Sequence, residues 1–227
     1  MIEKGRIVSE PTQSPQHTAS GFGGSPIGDY LGELAAKVPA PGGGAVAALH
    51  AAQAAALVAM VARYTTRAKD ADHRPVIDRI IAAADIARER ALTLADADAA
   101  AFTAVGAAYK LPKGSDSEVA ARSAAIHDAL LEAARVPAAV IDSADEILAL
   151  ATELLPIGNP NVVTDIGAAA AAARAAAVTS QLNIEINVVS LPEEHAAAFA
   201  EVPARIGKIT DRAETLHREV LRAVRGG

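Results

Sequence analysis

The stretch LTLADADAAAFTAVGAAY, residues 92–109, decides the fold class. Steps of three and four residues from Asp98 collect its largest apolar side chains into one stripe: Leu94, Phe102, Val105 and Tyr109. Alanine, the best helix former, occupies most of the remaining positions. The stretch therefore predicts an amphipathic helix, and the pattern extends it back to about residue 73, which makes it unusually long.

The composition extends this prediction to the whole chain. About a quarter of the 227 residues are alanine, against three Phe, three Tyr, two Met and no Trp. A core built from such residues must come from close approach of helix backbones rather than from large side chains. We expect an all-α fold, a multihelical bundle of long, Ala-rich, mostly antiparallel helices.

Charge and cysteine content exclude several classes of function. The net charge of −6 argues against a nucleic-acid partner, which needs a basic face. The absence of cysteine excludes disulfides, thiolate metal sites and a cysteine nucleophile. The most apolar stretch, residues 45–62, is mostly alanine and includes His50 and Gln53, so we expect no membrane span. A soluble protein of the reducing cytoplasm is expected.

Proline, glycine and capping residues divide the chain. Residues 1–24 have the composition of a flexible leader, which leaves residues 25–227 as the helical domain. Ser25 and Pro26 predict the first helix start, and Ser115 with Glu118 predicts a capping box. We expect a kink at Pro137 and an interruption at Pro203. Predicted helices cover about 25–37, 42–66, 73–109, 115–157, 162–188 and 192–225.

One segment has a strand-like pattern. Residues 182–188, LNIEINV, alternate apolar and polar side chains, which is the period of a half-buried strand. No second segment offers a partner strand, and a single strand leaves its backbone groups unpaired. The segment is therefore predicted to be helical.

Asp98 is the leading candidate for chemistry. A carboxylate on an apolar stripe is costly to desolvate, so it must be paired, protonated or placed for function. The alternatives to a functional role are a buried ion pair and a cap for the end of another helix. Asp96, by contrast, falls on a less apolar face of the same helix, which solvent can reach more easily.

Other polar features are less specific. The glycine run Gly42–Gly44 at a helix start offers backbone N–H groups to an anion, or alternatively allows close helix packing. Lys110 and Lys113 flank a turn where they either meet an acidic substrate or are merely solvated. Asp165 falls in the first turn of a helix, where it stabilises the dipole; Asn183 is about 27 Å further along, so one chain cannot place both in one small site. The six histidines have no metal-ligand spacing.

Six motifs, in order and approximate spacing, resemble the C-terminal domain family of formiminotransferase-cyclodeaminase. The family includes stand-alone formimidoyltetrahydrofolate cyclodeaminases and bacterial methenyltetrahydrofolate cyclohydrolases, and the resemblance spans about residues 28–224. The motifs are Pro39–Ala48, Asp98–Phe102, Tyr109–Lys113, Val136-Pro137, Gly158–Asp165 and Leu182–Asn187.

The resemblance implies an all-helical homodimer that acts on a tetrahydrofolate derivative without a metal or a permanently bound cofactor. It makes Asp98 the catalytic carboxylate, the same residue that the helix stripe singles out. It also implies a set of candidates for substrate binding: Gly42, Gly43, Gly44, Lys110, Lys113, Asp165, Asn183 and Asn187.

The chain also departs from the family pattern, and three functions stay open. Residues 65–69, TTRAK, lack a glycine and part of the positive charge found in many relatives, and Pro160 stands where relatives often have Leu. The first function is a folate cyclohydrolase or cyclodeaminase. The second is a paralogue acting on another amidine or imine, and the third is a non-catalytic helical dimer that binds a partner.

Overall fold

The computed structural model describes residues 21–226, which form seven α-helices and no strand. The helices are α1 Ile27–Ala35, α2 Gly43–Arg63, α3 Arg74–Tyr109, α4 Asp116–Leu154, α5 Val163–Val188, α6 Glu193–Ala196 and α7 Val202–Val224. Four short 3-10 turns accompany them: Phe22–Gly24, Ala68–His73, Pro160–Val162 and Ala197–Phe199. The all-α prediction is confirmed, and so is the helical assignment of residues 182–188, which lie at the end of α5.

Helix α2 is the centre of the bundle. It packs against α3, α4 and α5, while α7 covers α5 and α4. Its buried face is almost entirely alanine, and Ala47, Ala51 and Ala54 have no exposed surface. Because these side chains are so small, the backbones of neighbouring helices come close together. Short connections join consecutive long helices that contact one another, so these helices run antiparallel, as expected.

The helix ends follow the capping chemistry of the sequence in some places and differ in others. The predicted capping box is present: the Ser115 hydroxyl accepts the Glu118 N–H at 3.3 Å, and the Glu118 carboxylate accepts the Ser115 N–H at 3.0 Å. Pro26 is the N-cap residue of α1 rather than its first helical residue. Helix α4 continues through Pro137 as a single 39-residue helix.

The C-terminal prediction of one helix interrupted at Pro203 is wrong in its details. Residues 193–199 form α6 and a 3-10 turn, and Pro203 lies in the first turn of α7. Proline has no N–H to donate, and the first helical turn needs none, so Pro203 starts a helix here rather than breaking one.

The packed part of the chain begins before residue 25. Phe22 is only 6 % exposed, its N–H donates to the Asp96 carboxylate at 2.8 Å, and its ring meets Tyr30 edge to face at 5.7 Å. Residues 21–24 therefore pack with the helical domain rather than belonging to a leader. The remainder of the predicted leader, residues 1–20, lies outside the described residues.

Hydrogen bonds join the loop that follows α2 to the loop that follows α4. The Asn159 N–H donates to the Thr65 hydroxyl at 3.0 Å, and the Asn159 side-chain amide donates to the Tyr64 carbonyl at 2.8 Å. Arg67 pairs with Asp70 at 2.7 Å and donates to the Gly158 carbonyl at 3.1 Å. The motif that begins at Gly158 thus holds two loops together.

Three helical segments are long and apolar enough to cross a membrane by length and composition alone: Gly43–Arg63, Asp70–Tyr109 and Pro160–Val188. The most apolar of them lies in α2, and 61% of its apolar window is buried inside the bundle. The absence of a membrane span stays a prediction from the sequence.

Candidate functional site

A pocket of about 220 Å³ opens where the N-terminus of α2 meets α3, α4 and α5. Its wall consists of Pro39, Ala40, Gly42, Gly43, Gly44, Asp98, Phe102, Val105, Ala133, Asn183, Ile186 and Asn187. Asp98 is the only titratable side chain among these lining residues of the described chain. Six of the nine predicted site residues line this pocket.

Asp98 reaches the pocket from α3 and contacts the first turn of α2. Its carboxylate accepts a hydrogen bond from the backbone N–H of Ala45, the third residue of α2. Within residues 21–226, no basic side chain forms a salt bridge with Asp98. The described residues therefore do not form the buried ion pair that the sequence left open for Asp98. They do form the other alternative, because Asp98 caps the N-terminal end of α2.

Burial raises the pKa of Asp98 above its ordinary value, and the hydrogen bond from Ala45 opposes this only in part. The N-terminal turn of α2 also contributes positive potential beside the carboxylate. A carboxyl group with a raised pKa that is open to a pocket is suited to take up and return a proton.

The three glycines of the predicted run have different roles. A Cβ atom on Gly44 would overlap the carboxylate of Asp98, which would then have to move away from α2. A Cβ on Gly43 would meet the Asn183 side chain at an ordinary 3.6 Å, and one on Gly42 would meet nothing within 4 Å. Only Gly44 is required by close approach.

Asn183 and Asn187 also line the pocket; Asn187 uses both of its side-chain N–H groups in hydrogen bonds, and Asn183 uses one. The amide of Asn183 donates to the Thr179 carbonyl at 2.8 Å, and that of Asn187 donates to the carbonyls of Asn183 at 2.7 Å and Ala133 at 3.2 Å. Because a side-chain amide has its donors on nitrogen, this arrangement leaves the two Oδ1 atoms as acceptors. The pocket therefore suits a ligand that carries N–H groups or positive charge.

Three of the predicted binding residues are not in the pocket. Lys110 and Lys113 are exposed near the C-terminal end of α3, and Lys110 is about 18 Å along the helix axis from Asp98. Asp165 lies in the first turn of α5, about 27 Å from Asn183, where it stabilises the helix dipole. Gly42, Gly43, Gly44, Asn183 and Asn187 do line the pocket with Asp98.

Sequence reasoning missed several lining residues. Phe102 and Val105 could have been found, because they continue the stripe of Asp98 along α3. Ala133 and Ile186 carry no chemical signal, and only the packing of α4 and α5 brings them to the pocket. Residues 65–69, which are expected from the sequence to depart from the family pattern, follow the C-terminal end of α2, about 30 Å from Gly43.

No group of three or more His, Asp or Glu residues is placed to hold a metal ion in the part of the chain from residue 21 to 226. The prediction that no metal or permanent cofactor is needed is not tested by this observation.

Comparison with known proteins gives one consistent family. A sequence model of the formiminotransferase-cyclodeaminase family matches residues 26–206. The methenyltetrahydrofolate cyclohydrolase of Methylorubrum extorquens is 38% identical over 184 residues, which are 79% of this chain and 85% of that protein. The rat formimidoyltransferase-cyclodeaminase is 32% identical over 73% of this chain, which spans 31% of the rat protein.

A solved structure has the same fold. The crystal structure of formiminotetrahydrofolate cyclodeaminase from Thermotoga maritima superposes with a TM-score of 0.75 and 28% sequence identity. The match covers 90% of this chain and 98% of that one.

The burial of Asp98 predicts a pH-dependent gain in stability on Asp98→Asn. A carboxyl whose folded pKa is raised favours folding in its protonated form, and this contribution is lost as the pH rises through the folded pKa. At pH 7 the variant should therefore be more stable by on the order of 1 kcal/mol, whereas below about pH 4 the two proteins should be alike. Urea unfolding at several pH values measures the difference.

The exposed Asp128 of α4 gives a matched control. Asp128→Asn should change the free energy of unfolding little at any pH. Equal stabilities of wild type and Asp98→Asn at pH 7 would contradict the view that the Asp98 carboxylate is held at a cost.

Proposed function

Since the chain belongs to the formiminotransferase-cyclodeaminase family, we propose that it is a methenyltetrahydrofolate cyclohydrolase with Asp98 as its catalytic carboxylate. It is a folate one-carbon enzyme that interconverts the 5,10-methenyl bridge, as cyclohydrolase or cyclodeaminase. The observation that carries the proposal is the half-buried carboxyl of Asp98, which faces a pocket lined otherwise by groups that do not titrate. The similarity to the Methylorubrum protein over 85% of that protein favours the cyclohydrolase.

The chemistry needs one group that both accepts and donates a proton. Water attacks the amidinium carbon between N5 and N10, and the ionised Asp98 carboxylate accepts a proton from that water. The neutral tetrahedral adduct then breaks its bond from carbon to N5, which receives the proton from Asp98. The remaining hydroxyl proton leaves to solvent as the formyl carbonyl forms, so that the products are 10-formyltetrahydrofolate and one proton.

The charges in the pocket fit such a substrate. The methenyl bridge is a cation, and the carboxylate of Asp98 would face it in a site where burial strengthens the attraction. The Oδ1 acceptors of Asn183 and Asn187 suit the N–H groups of a pterin ring. Phe102 and Val105 provide apolar wall against which a flat ring can pack.

The cyclodeaminase is the second candidate. Its support is the structure of the Thermotoga protein, which is almost completely covered by this chain. In that reaction N10 attacks the carbon of the protonated formimidoyl group and Asp98 accepts the N10 proton. Asp98 then returns this proton to the amino group, which leaves as ammonia while the cationic methenyl bridge forms. The two reactions place water or ammonia at one position beside the same carboxylate.

A homodimer is the proposed assembly, and an apolar surface beside the pocket supports it. Leu182, Ile186 and Val189 are 70 %, 70 % and 77 % exposed, and their spacing puts them on one face of α5. Ile186 and the half-exposed Phe102 also line the pocket. Because soluble monomers rarely expose such a patch, a second copy of the chain is its proposed partner. The cytoplasmic location stays a prediction from the sequence.

The proposed activity is tested by loss of the methenyltetrahydrofolate chromophore. Wild type should accelerate the loss well above the buffer rate, and Asp98→Asn should reduce kcat at least about 100-fold because the proton acceptor is gone. The acid limb of the wild-type pH profile should lie above the ordinary range of an aspartate, since the pKa of Asp98 is raised and activity is lost as the pH falls through it.

Formimidoyltetrahydrofolate is the companion substrate in this assay. Turnover of that substrate alone would make the chain a cyclodeaminase. If neither compound reacts faster than in buffer, the folate assignment fails and another amidine or a non-catalytic dimer becomes the better hypothesis. Equal rates for wild type and Asp98→Asn would remove Asp98 from the mechanism.

Gly44→Ala should nearly abolish activity, and Gly42→Ala should not. The added methyl group collides with the Asp98 carboxylate in the first variant, whereas it enters open space in the second. We expect kcat/KM to fall at least about 100-fold for Gly44→Ala, as for a displaced catalytic group, and by less than about threefold for Gly42→Ala. Similar losses for both variants would contradict the close approach at Gly44.

The dimer is tested by sedimentation velocity. Wild type should sediment at twice the chain mass of 23.0 kDa, and Leu182→Lys should shift it toward the monomer, because a lysine would be buried in the interface. Ile86→Lys is the control, since Ile86 is 66 % exposed on a different helix, α3. A monomeric wild type, or equal behaviour of the two variants, would contradict the proposed interface.

A further inference from the structure

The glycine-rich turn formed by residues 21–24, here called the Phe22 turn, packs closely on one face of α3. It meets α3 at Leu92 and Asp96, which lie one helical turn apart. A Cβ atom on Gly21 would overlap the Asp96 carboxylate, and the φ angle of +62° at Gly21 also favours glycine. A Cβ atom on Gly23 would lie only 3.2 Å from the Leu92 side chain. The backbone of the turn therefore fits α3 closely because it lacks side chains at these two positions.

Asp96 holds the Phe22 turn through a hydrogen bond. Its Oδ1 atom accepts the N–H of Phe22 at 2.8 Å. Phe22 is the first residue of a 3-10 turn, and the preceding residue, Gly21, has no side chain that could cap the turn. Asp96 thus supplies from α3 the acceptor that a capping side chain would otherwise provide. Because Asp96 is not among the residues that line the pocket, contact with a ligand there does not account for it.

The Phe22 turn in turn holds α1. The Phe22 ring is 6 % exposed and meets the ring of Tyr30, which is 8 % exposed, edge to face at 5.7 Å between centroids. One turn further along α1, Leu34 packs against the main core. Ile27 and Leu31 of the same helix are 78 % and 52 % exposed. Helix α1 is therefore attached along one side only, and the Phe22 turn is part of that attachment.

The position of α1 bears directly on the pocket. Only residues 36–42 connect α1 to α2. Within this connection Pro39 and Ala40 form part of the pocket wall, and Gly42 is the N-cap residue of α2. The Asp98 carboxylate is held separately, by the N–H of Ala45. A displacement of α1 would therefore move a wall of the pocket and leave the proton-transferring group on its own support.

We propose that Asp96 is a positioning residue, whose carboxylate fixes the Pro39–Ala40 wall of the pocket through the Phe22 turn and α1. The two aspartates then have separate roles. Asp98 faces the pocket, whereas Asp96, two residues away on another face of α3, holds the segment that completes the pocket. The kinetic consequence rests on the proposed function, but the attachment of residues 22–42 can be measured without any substrate.

The test compares Asp96→Ala with Asp96→Asn. Alanine removes the acceptor, whereas asparagine removes the charge and keeps an oxygen atom that can accept the Phe22 N–H. In hydrogen–deuterium exchange without substrate, the amides of residues 22–42 should exchange on the order of tenfold faster in Asp96→Ala, with α4 and α5 unchanged. In the chromophore assay, KM should rise on the order of tenfold and kcat should change less than about threefold, because only binding surface is loosened. Asp96→Asn should stay close to wild type in both measurements.

A pair of glycine variants tests the same contact from the other side. Gly21→Ala places a methyl group against the Asp96 carboxylate and should reproduce the faster exchange and the higher KM of Asp96→Ala. It also carries the test if Asp96→Ala does not fold, because Gly21 lies at the edge of the bundle rather than in a long helix. Gly28→Ala is the matched control, since a Cβ atom at this position of α1 would meet nothing within 4 Å.

Three results overturn the inference. The first is unchanged exchange of residues 22–42 in Asp96→Ala and Gly21→Ala, and the second is faster exchange in an active protein without a rise in KM. The third is equal impairment of Asp96→Asn and Asp96→Ala, which would assign the effect to the charge of Asp96 instead of its hydrogen bond. Faster exchange in a protein that is inert toward both folates supports the attachment and overturns the proposed function alone.

Discussion

The contact between Asp98 and the first turn of α2 is the constraint on which the site depends. It joins the two central helices where the backbone of α2 comes nearest to α3, and it exists only because Gly44 has no side chain. The carboxylate caps α2 by accepting the Ala45 N–H, and the same geometry turns it toward the pocket. One interaction therefore joins the two helices and turns the proposed catalytic carboxylate toward the pocket.

The alanine-rich packing makes this contact possible. Because α2 buries alanines against α3, α4 and α5, the helix axes are close and the pocket is formed by helix ends and backbone rather than by long side chains. The polar lining of the pocket consequently comes from the few residues that are not alanine. Asp98 supplies the charge, and Asn183 and Asn187 supply acceptors whose direction is fixed by backbone carbonyls.

The helices and Asp98 could be predicted from the sequence because both depend on local periodicity. Helical spacing placed Asp98 with Phe102 and Val105, and the structure keeps these three in one pocket wall. Lys110, Lys113 and Asp165 lie too far away to line the pocket. Their distances depend on where α3 ends and where α5 begins relative to the pocket. The burial of Tyr30 was missed for a related reason: α1 is short, and only its packing on Phe22 and α3 shows which face is covered.

The helix-cap role of Asp98 does not compete with a catalytic one. A cap needs only an acceptor, and a serine or asparagine at position 98 would serve α2 without bringing a charge into a partly buried site. The carboxylate is thus the costly choice for capping and the necessary choice for moving a proton. A charged residue where a neutral one would cap the helix at lower cost is the kind of departure that a proposed catalytic role explains.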